Sequence, residues 1–180
     1  MNATGNELLR WTQTTDPGTF GVGIYLEAVG IILVLVFFAW ICAQLWSTRS
    51  RPWLAAAALA GFILWAGSSL LENATFSALL HAGRNGVDAQ GLAALHAIAL
   101  NVGSPAGVAM GLAMIGAGRA GLEAKALPPW LSWPAIAIGV GWAVPNQLSV
   151  GVAGFALFVW VGLVAVRGLV QQPAPISAAS

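Results

Sequence analysis

The sequence predicts an all-α protein: a polytopic transmembrane bundle of about five helices, with the N-terminus outside and the C-terminus in the cytoplasm. Of its 180 residues, 58% are apolar and 7% are charged, whereas a soluble domain carries roughly 25% charged residues. Five apolar segments approach the roughly 20 residues that cross a bilayer, and basic residues gather in the loops of one side. This composition excludes a soluble enzyme, a disordered chain and a nucleic-acid-binding protein.

Residues 1–19 are expected to form an outer interfacial segment. Thr4 and Glu7 have the spacing of a capping box, and Leu8, Leu9 and Trp11 follow. The pattern predicts a short helix that ends before Asp16 and Pro17. An interfacial anchor is the preferred interpretation, and a lid over a site beneath is the alternative.

Residues 20–168 are predicted to be one helix-bundle domain. Its spans cover residues 20–46, 53–80, 92–117, 130–144 and 148–166. The fourth span is short, and a tight turn at residues 145–147 leads into the fifth, so a hairpin that does not fully cross the bilayer stays open. Residues 169–180 are predicted to be a disordered cytoplasmic tail.

Loop charges predict the orientation. Five basic residues lie at the ends of spans on one side and two lie on the other. The larger group marks the cytoplasmic side by the positive-inside rule. It consists of Arg49, Arg51, Arg119, Lys125 and Arg167, against Arg10 and Arg84 outside. The excess of Arg over Lys and the abundance of Ala and Gly fit a GC-rich bacterial source, which predicts the bacterial cytoplasmic membrane.

Glycines predict how the spans pack. Gly103, Gly107 and Gly111 form a small-residue ridge on the third span, and such ridges let helix backbones approach closely in lipid. The third span is therefore expected at the centre of the bundle. The same residues also suit a homo-oligomer or a partner in a membrane complex, which the sequence leaves open.

Polar residues inside the apolar spans are the candidate functional residues, because an ionisable group in lipid is costly to bury. All of them fall in the predicted outer half of the membrane. We expect Glu27, Glu72 and His96 to supply any acid–base chemistry, with Asn73, Asn101 and Ser104 as polar ligand contacts. Trp65 and Trp142 are expected to line an apolar wall. Together they predict an outer-leaflet polar cavity built mainly from the first three spans.

The leading hypothesis is that this cavity binds an apolar or amphipathic molecule, such as a lipid or an isoprenoid. Displaced pKa values in such a site would allow acid–base chemistry, so whether the protein is an enzyme stays open. One alternative is a small transporter or a subunit of an ion or proton conduit, although the inner half offers no polar path. A structural or assembly subunit is the second alternative.

Neither a metal nor a cofactor is predicted. Haem b held by His81 and His96 is one arrangement that the sequence suggests, and two histidines without a further motif carry little weight. Glu27, Glu72 and His96 lack the spacing of a known metal motif.

The segment LPPWLSWP at residues 127–134, followed by a glycine-rich span, resembles a loop-to-span junction. Such junctions occur in small uncharacterised multi-pass membrane proteins of GC-rich bacteria. The resemblance covers this junction alone, and it implies no known activity.

Overall fold

The computed structural model describes residues 3–47, 52–143 and 147–170, and over these residues the chain forms six α-helices and no strand. The all-helical prediction is therefore confirmed. The predicted turn at residues 145–147 and the predicted tail at residues 169–180 lie largely outside the described residues. The helices are α1 (Gly5–Thr14), α2 (Pro17–Ser47), α3 (Pro52–Arg84), α4 (Ala89–Glu123), α5 (Pro129–Ala143) and α6 (Gln147–Val170).

Three of these helices are long and apolar enough to cross a membrane. They are Pro17–Trp46 within α2, all of α3 and all of α4. Helix α5 has 15 residues and is therefore only about 22 Å long, less than the roughly 30 Å of a hydrocarbon core. The helices thus suit a membrane protein, and the total of five spans stays a prediction.

Helix α1 begins with the predicted capping box. The Thr4 backbone N–H donates to Glu7 Oε2 at 2.7 Å, and the Glu7 N–H donates to Thr4 Oγ1 at 3.4 Å. The backbone N–H and the hydroxyl of Thr4 lower the pKa of the Glu7 carboxyl. Because this pKa is lower in the folded state, the ionised Glu7 carboxylate stabilises the capping box at pH values above the ordinary carboxyl pKa. The stabilisation is lost as the pH falls through the lowered pKa.

Helix α1 packs its apolar side against one end of α3 and α4. Leu8 is buried with Leu79 and Leu92. Gly83 permits the approach, because a β-carbon there would overlap the Thr12 side chain. We call the half of the bundle next to α1 the cap half and the opposite half the base half.

Arg84 closes the C-terminal end of α1. Its Nε donates to the Thr12 carbonyl at 3.2 Å, and its Nη2 donates to the Thr15 carbonyl at 2.7 Å. Carbonyls in the last turn of a helix lack helical partners, and a guanidinium suits them both as a donor and as a positive charge. Arg84 therefore ties α1 to the end of α3.

Replacing Arg84 with methionine is expected to loosen α1 without unfolding the bundle. Loss of two partly exposed hydrogen bonds at about 1 kcal/mol in total corresponds to about fivefold faster opening. Amide hydrogen exchange of residues 8–14 measures this change. Arg10→Met removes an exposed guanidinium from α1 itself and should leave the exchange unchanged; equal exchange in both variants would contradict the role of Arg84.

Helix α4 lies at the centre of the bundle, as the glycine ridge predicts, and contacts α1, α2, α3 and α5. On one side, a β-carbon at Gly61 of α3 would come within 2.9 Å of the Ala109 carbonyl oxygen. On the other side, Gly111 and Gly139 of α5 each abut the carbonyl oxygen of the other. Both contacts require glycine, because any side chain would meet backbone atoms.

The base half holds a large apolar core, which we call the base cluster. The Phe38 ring of α2 stacks on the Phe62 ring of α3 with centroids 3.6 Å apart, and Trp160 of α6 stacks near Phe38 at 6.1 Å. The Trp160 indole N–H donates to the Leu131 carbonyl at 2.7 Å. Helix α6 thus joins α5 to α2 and closes the base half. The buried members include Phe38, Phe62, Met110, Met114, Leu131 and Trp160.

Replacing Trp160 with phenylalanine is expected to lower the free energy of unfolding by about 1–2 kcal/mol. The variant loses a buried hydrogen bond and part of an aromatic contact. Thermal unfolding in detergent, followed by circular dichroism, measures the loss. Trp133→Phe is the matched control, because Trp133 is 60% exposed and should tolerate the same change.

Candidate functional site

One side of α2 is packed in the base half and open in the cap half. Ile31, Phe38 and Leu45 recur every seven residues and are all buried, so this stripe faces the core. Toward the cap, the same side of the helix carries Glu27 and Gly23, which are both exposed. Between Ile31 and the N-terminal end of α2, this side of the helix therefore carries exposed residues instead of buried ones.

The glycines beside Glu27 border open space. Within the described chain, no atom lies within 4 Å of a β-carbon built on Gly23 or Gly30, apart from the helix's own neighbouring backbone. Gly61 and Gly111, by contrast, touch backbone atoms of a neighbouring helix. Gly23 and Gly30 thus do not pack against another helix among the described residues.

The hairpin of α2 and α3 brings Glu27 and Asn73 to a similar height. The stacked rings of Phe38 and Phe62 fix the register of these two helices. Glu27 lies eleven residues before Phe38, and Asn73 lies eleven residues after Phe62. Eleven residues make about three helical turns and about 16 Å of rise. Both residues therefore lie at about the same height above the stack.

The Glu27 carboxylate and the Asn73 amide are not joined. Asn73 Nδ2 is buried and has no hydrogen-bond partner among the described residues, although such donors are rarely left unpaired. The exposed Glu27 makes no hydrogen bond or ion pair within residues 3–47, 52–143 and 147–170. We call the open surface of α2 and α3 around Glu27 the α2–α3 cleft, and we define it by Gly23, Glu27, Gly30, Glu72 and Asn73.

Glu72 adds a second carboxylate at this height. It is half-buried, and it lies close enough to Glu27 for the two to interact electrostatically. The sequence has no Arg or Lys between residues 20 and 47 or between residues 52 and 80. Arg84, the nearest basic residue along α3, is bound to α1. The α2–α3 cleft is therefore acidic without a cation of its own.

The polar residues predicted on α4 have separate surroundings. His96 is half-buried, and its ring meets the Phe76 ring edge-on at 6.1 Å. Asn101 is exposed, and its Nδ2 donates to the Ala97 carbonyl of its own helix at 2.7 Å. The Ser104 side chain lies outside the described residues. His96 thus approaches α3 near the cleft, whereas the Asn101 amide is already satisfied.

The two predicted wall tryptophans pack against the base cluster. Trp65 and Trp142 are both half-buried there. The Trp142 ring lies between Gly107 of α4 and Gly154 of α6, and its buried indole N–H has no partner in the described part of the chain. Trp65 belongs to α3 and Trp142 belongs to α5.

The described residues contain no group of three or more His, Cys, Asp or Glu side chains suited to a metal ion. His81 is exposed on the end of α3, while His96 packs on Phe76. The expectation that no metal or haem is bound stays a prediction.

Sequence reasoning placed Glu27, Glu72 and Asn73 in one outer-leaflet cavity, but it did not predict that Glu27 and Asn73 lie at the same height. The signal was present in the sequence, because α2 and α3 are joined by a short link at residues 48–51. A short link makes the helices antiparallel neighbours, and equal distances from it bring residues to one height. The stack of Phe38 on Phe62 was needed to fix the register.

No protein-family profile, no curated protein and no solved structure matches this chain.

Proposed function

We propose that this chain is an integral membrane protein that binds an amphipathic, lipid- or isoprenoid-like molecule in the α2–α3 cleft. The observation that carries the proposal is the pair of neighbouring carboxylates, Glu27 and Glu72, which lie beside open glycines and have no basic residue on the same helix segments. A polar group of a ligand would pair with these carboxylates. We also propose that the chain crosses the bacterial cytoplasmic membrane five times, with the cap half on the outer side.

The distribution of exposed apolar residues supports a position of Glu72 at the end of the apolar band of α3, whereas on α2 exposed apolar side chains continue past Glu27 to Val22. Large exposed apolar side chains occur on α3 from Trp53 to Leu71. In the described residues that follow, the next large exposed apolar side chain is Ile98 on α4. The stretch from Trp53 to Leu71 is about 27 Å long, close to the roughly 30 Å of a bilayer core. Glu72 and Asn73 directly follow this band. A ligand there would keep its polar group at the interface and its apolar part in lipid.

The base cluster argues against a conduit through a single chain. Stacked aromatic rings and buried methionines fill the space between the helices below the α2–α3 cleft. Ions and protons need polar groups or water along their path. Binding is therefore preferred to transport, and acid–base chemistry at Glu27, Glu72 or His96 would follow only if the ligand is turned over.

A steric block tests the proposal. The protein is purified in mild detergent, and the small molecules that accompany it are identified by mass spectrometry. Gly30→Leu fills the α2–α3 cleft without changing its polar groups, whereas Gly162→Leu places the same side chain in another open position. We expect a discrete molecule with the unaltered protein and Gly162→Leu, but not with Gly30→Leu. The same molecules with all three proteins would contradict binding in the cleft.

A further inference from the structure

The base half carries most of the positive charge of the chain. By sequence position, five basic residues and a single acidic residue, Glu123, belong to it, against two basic and five acidic residues in the cap half. Arg119 is paired with Glu123 at 3.1 Å. The Lys125 and Arg167 side chains make no hydrogen bond or ion pair within residues 3–47, 52–143 and 147–170. The base half therefore presents cations that the described chain does not neutralise.

Exposed tryptophans lie at the same end of the bundle. Trp46, Trp53 and Trp130 are each one residue from the end of a helix there, and all three are more than half exposed. Trp11, in the cap half, is half-buried. In a bilayer, indole rings favour the level of the lipid head groups, because they combine an apolar body with a polar N–H. Their positions indicate that the basic residues of the base half lie near the height of lipid phosphates.

Arg167 lies on the inward side of α6. Trp160 and Val164, seven and three residues before it, are both buried, and residues at this spacing share one face of a helix. The next residue, Gly168, approaches α2 closely, because a β-carbon there would come within 2.9 Å of the Trp40 ring. Arg167 is half-buried, so its guanidinium is partly removed from water without a counterion in the described chain. Such a charge favours an anion from outside the chain.

We infer that Arg167 binds the phosphate of an anionic phospholipid, such as phosphatidylglycerol, on the surface between α2 and α6. Its guanidinium presents N–H donors in a fork that matches two phosphate oxygens. The acyl chains would lie against exposed apolar side chains beside Arg167. We call this surface the α2–α6 lipid site, and we define it by Trp40, Leu163, Val166, Arg167 and Gly168. It belongs to the half opposite the α2–α3 cleft and goes beyond the proposed function.

The net charge of the head group distinguishes the possible occupants. Phosphatidylcholine also has a phosphate, but its cationic choline group would be repelled by the excess of basic residues in the base half. A head group with a net negative charge is attracted by each of them. A soluble acidic protein would pair with Arg167, but it would offer no acyl chain to the exposed Trp40, Leu163 and Val166 side chains. An anionic lipid satisfies both the guanidinium and these apolar side chains.

The test measures which lipids stay bound to the full chain. The protein is reconstituted into vesicles of equimolar phosphatidylcholine and phosphatidylglycerol with the same acyl chains, extracted in mild detergent and analysed by native mass spectrometry. We expect phosphatidylglycerol to be enriched on the protein about fivefold over phosphatidylcholine, which corresponds to the attraction of about 1 kcal/mol that one basic residue near the surface exerts. Equal retention of the two lipids would overturn the inference.

Variants at position 167 separate Arg167 from the general attraction of the base half. Arg167→Gln and Arg167→Met remove the charge in two ways, so that misfolding of one does not decide the result. Both should lose most of the enrichment, while Arg167→Lys, which keeps the charge, should retain most of it. Arg10→Gln removes an exposed guanidinium from the cap half and should change nothing. Undiminished enrichment in Arg167→Gln and Arg167→Met would overturn the inference, and so would an acidic protein that co-purifies only when Arg167 is present.

The outcome is separable from that of the proposed function. Gly30→Leu alters the α2–α3 cleft and should leave the enrichment of phosphatidylglycerol unchanged. If Gly30→Leu abolishes the enrichment, the lipid binds in the cleft and the assignment to the α2–α6 lipid site is wrong. Enrichment that persists in Gly30→Leu but is lost in Arg167→Gln supports the α2–α6 lipid site, whatever the cleft binds.

Discussion

A single β-carbon at Gly111 is expected to destabilise the whole bundle. In Gly111→Ala the new methyl group would lie 2.7 Å from the Gly139 carbonyl oxygen and 2.9 Å from the Ala143 nitrogen. Both are backbone atoms, so α4 and α5 must move apart rather than repack a side chain. Forcing extra atoms into a packed core costs about 1–3 kcal/mol and sometimes more.

The matched control for this variant is Gly162→Ala on α6. No described atom of another element lies within 4 Å of its new β-carbon, and alanine is a better helix former than glycine. Thermal unfolding in the same detergent should give a clearly lower midpoint for Gly111→Ala and an unchanged or higher midpoint for Gly162→Ala. Equal midpoints would contradict the central packing of α4.

Glu27→Leu is expected to weaken ligand binding strongly while leaving the fold intact. Glu27 has no partner within the described chain, so its removal breaks no internal contact. An ionised group in a transmembrane helix costs up to about 2.5–3.5 kcal/mol, and leucine removes this cost. A hydrogen bond to a charged group contributes about 1.5–3 kcal/mol, so affinity for the ligand should fall about 10- to 150-fold.

Binding and unfolding must both be measured for Glu27→Leu. Asp88→Asn serves as the control, because it removes a carboxylate from the cap half and asparagine still caps α4 in place of Asp88. The control should bind normally. A large loss of stability in Glu27→Leu would mean that the carboxylate has a structural partner.

Much of the fold could be predicted from local sequence patterns. The capping box of Thr4 and Glu7 and the apolar lengths of α2, α3 and α4 are properties of neighbouring residues, so they are readable without a structure. Gly111 was recognisable as a packing residue because glycine has few other uses within an apolar helix. The contacts of Arg84 with α1 were not readable, because they join residues about 70 positions apart.

The candidate site was predicted only in part. The cost of a charge in lipid pointed to Glu27 and Glu72 without any knowledge of packing. The same rule also selected His96, which packs on a ring, and Asn101, which bonds to its own helix. Only the pairing of two helices distinguishes a polar residue facing open space from one that is already satisfied.

The most direct test of the central claim places a small photoreactive aliphatic residue at position 30 in the α2–α3 cleft or at position 162 on α6. After irradiation in intact membranes, mass spectrometry identifies whatever is attached to the protein. We predict one discrete small molecule at position 30 and the mixed masses of bulk phospholipids at position 162. The same phospholipid mixture at both positions, or a protein attached at position 30, would contradict a ligand-binding cleft.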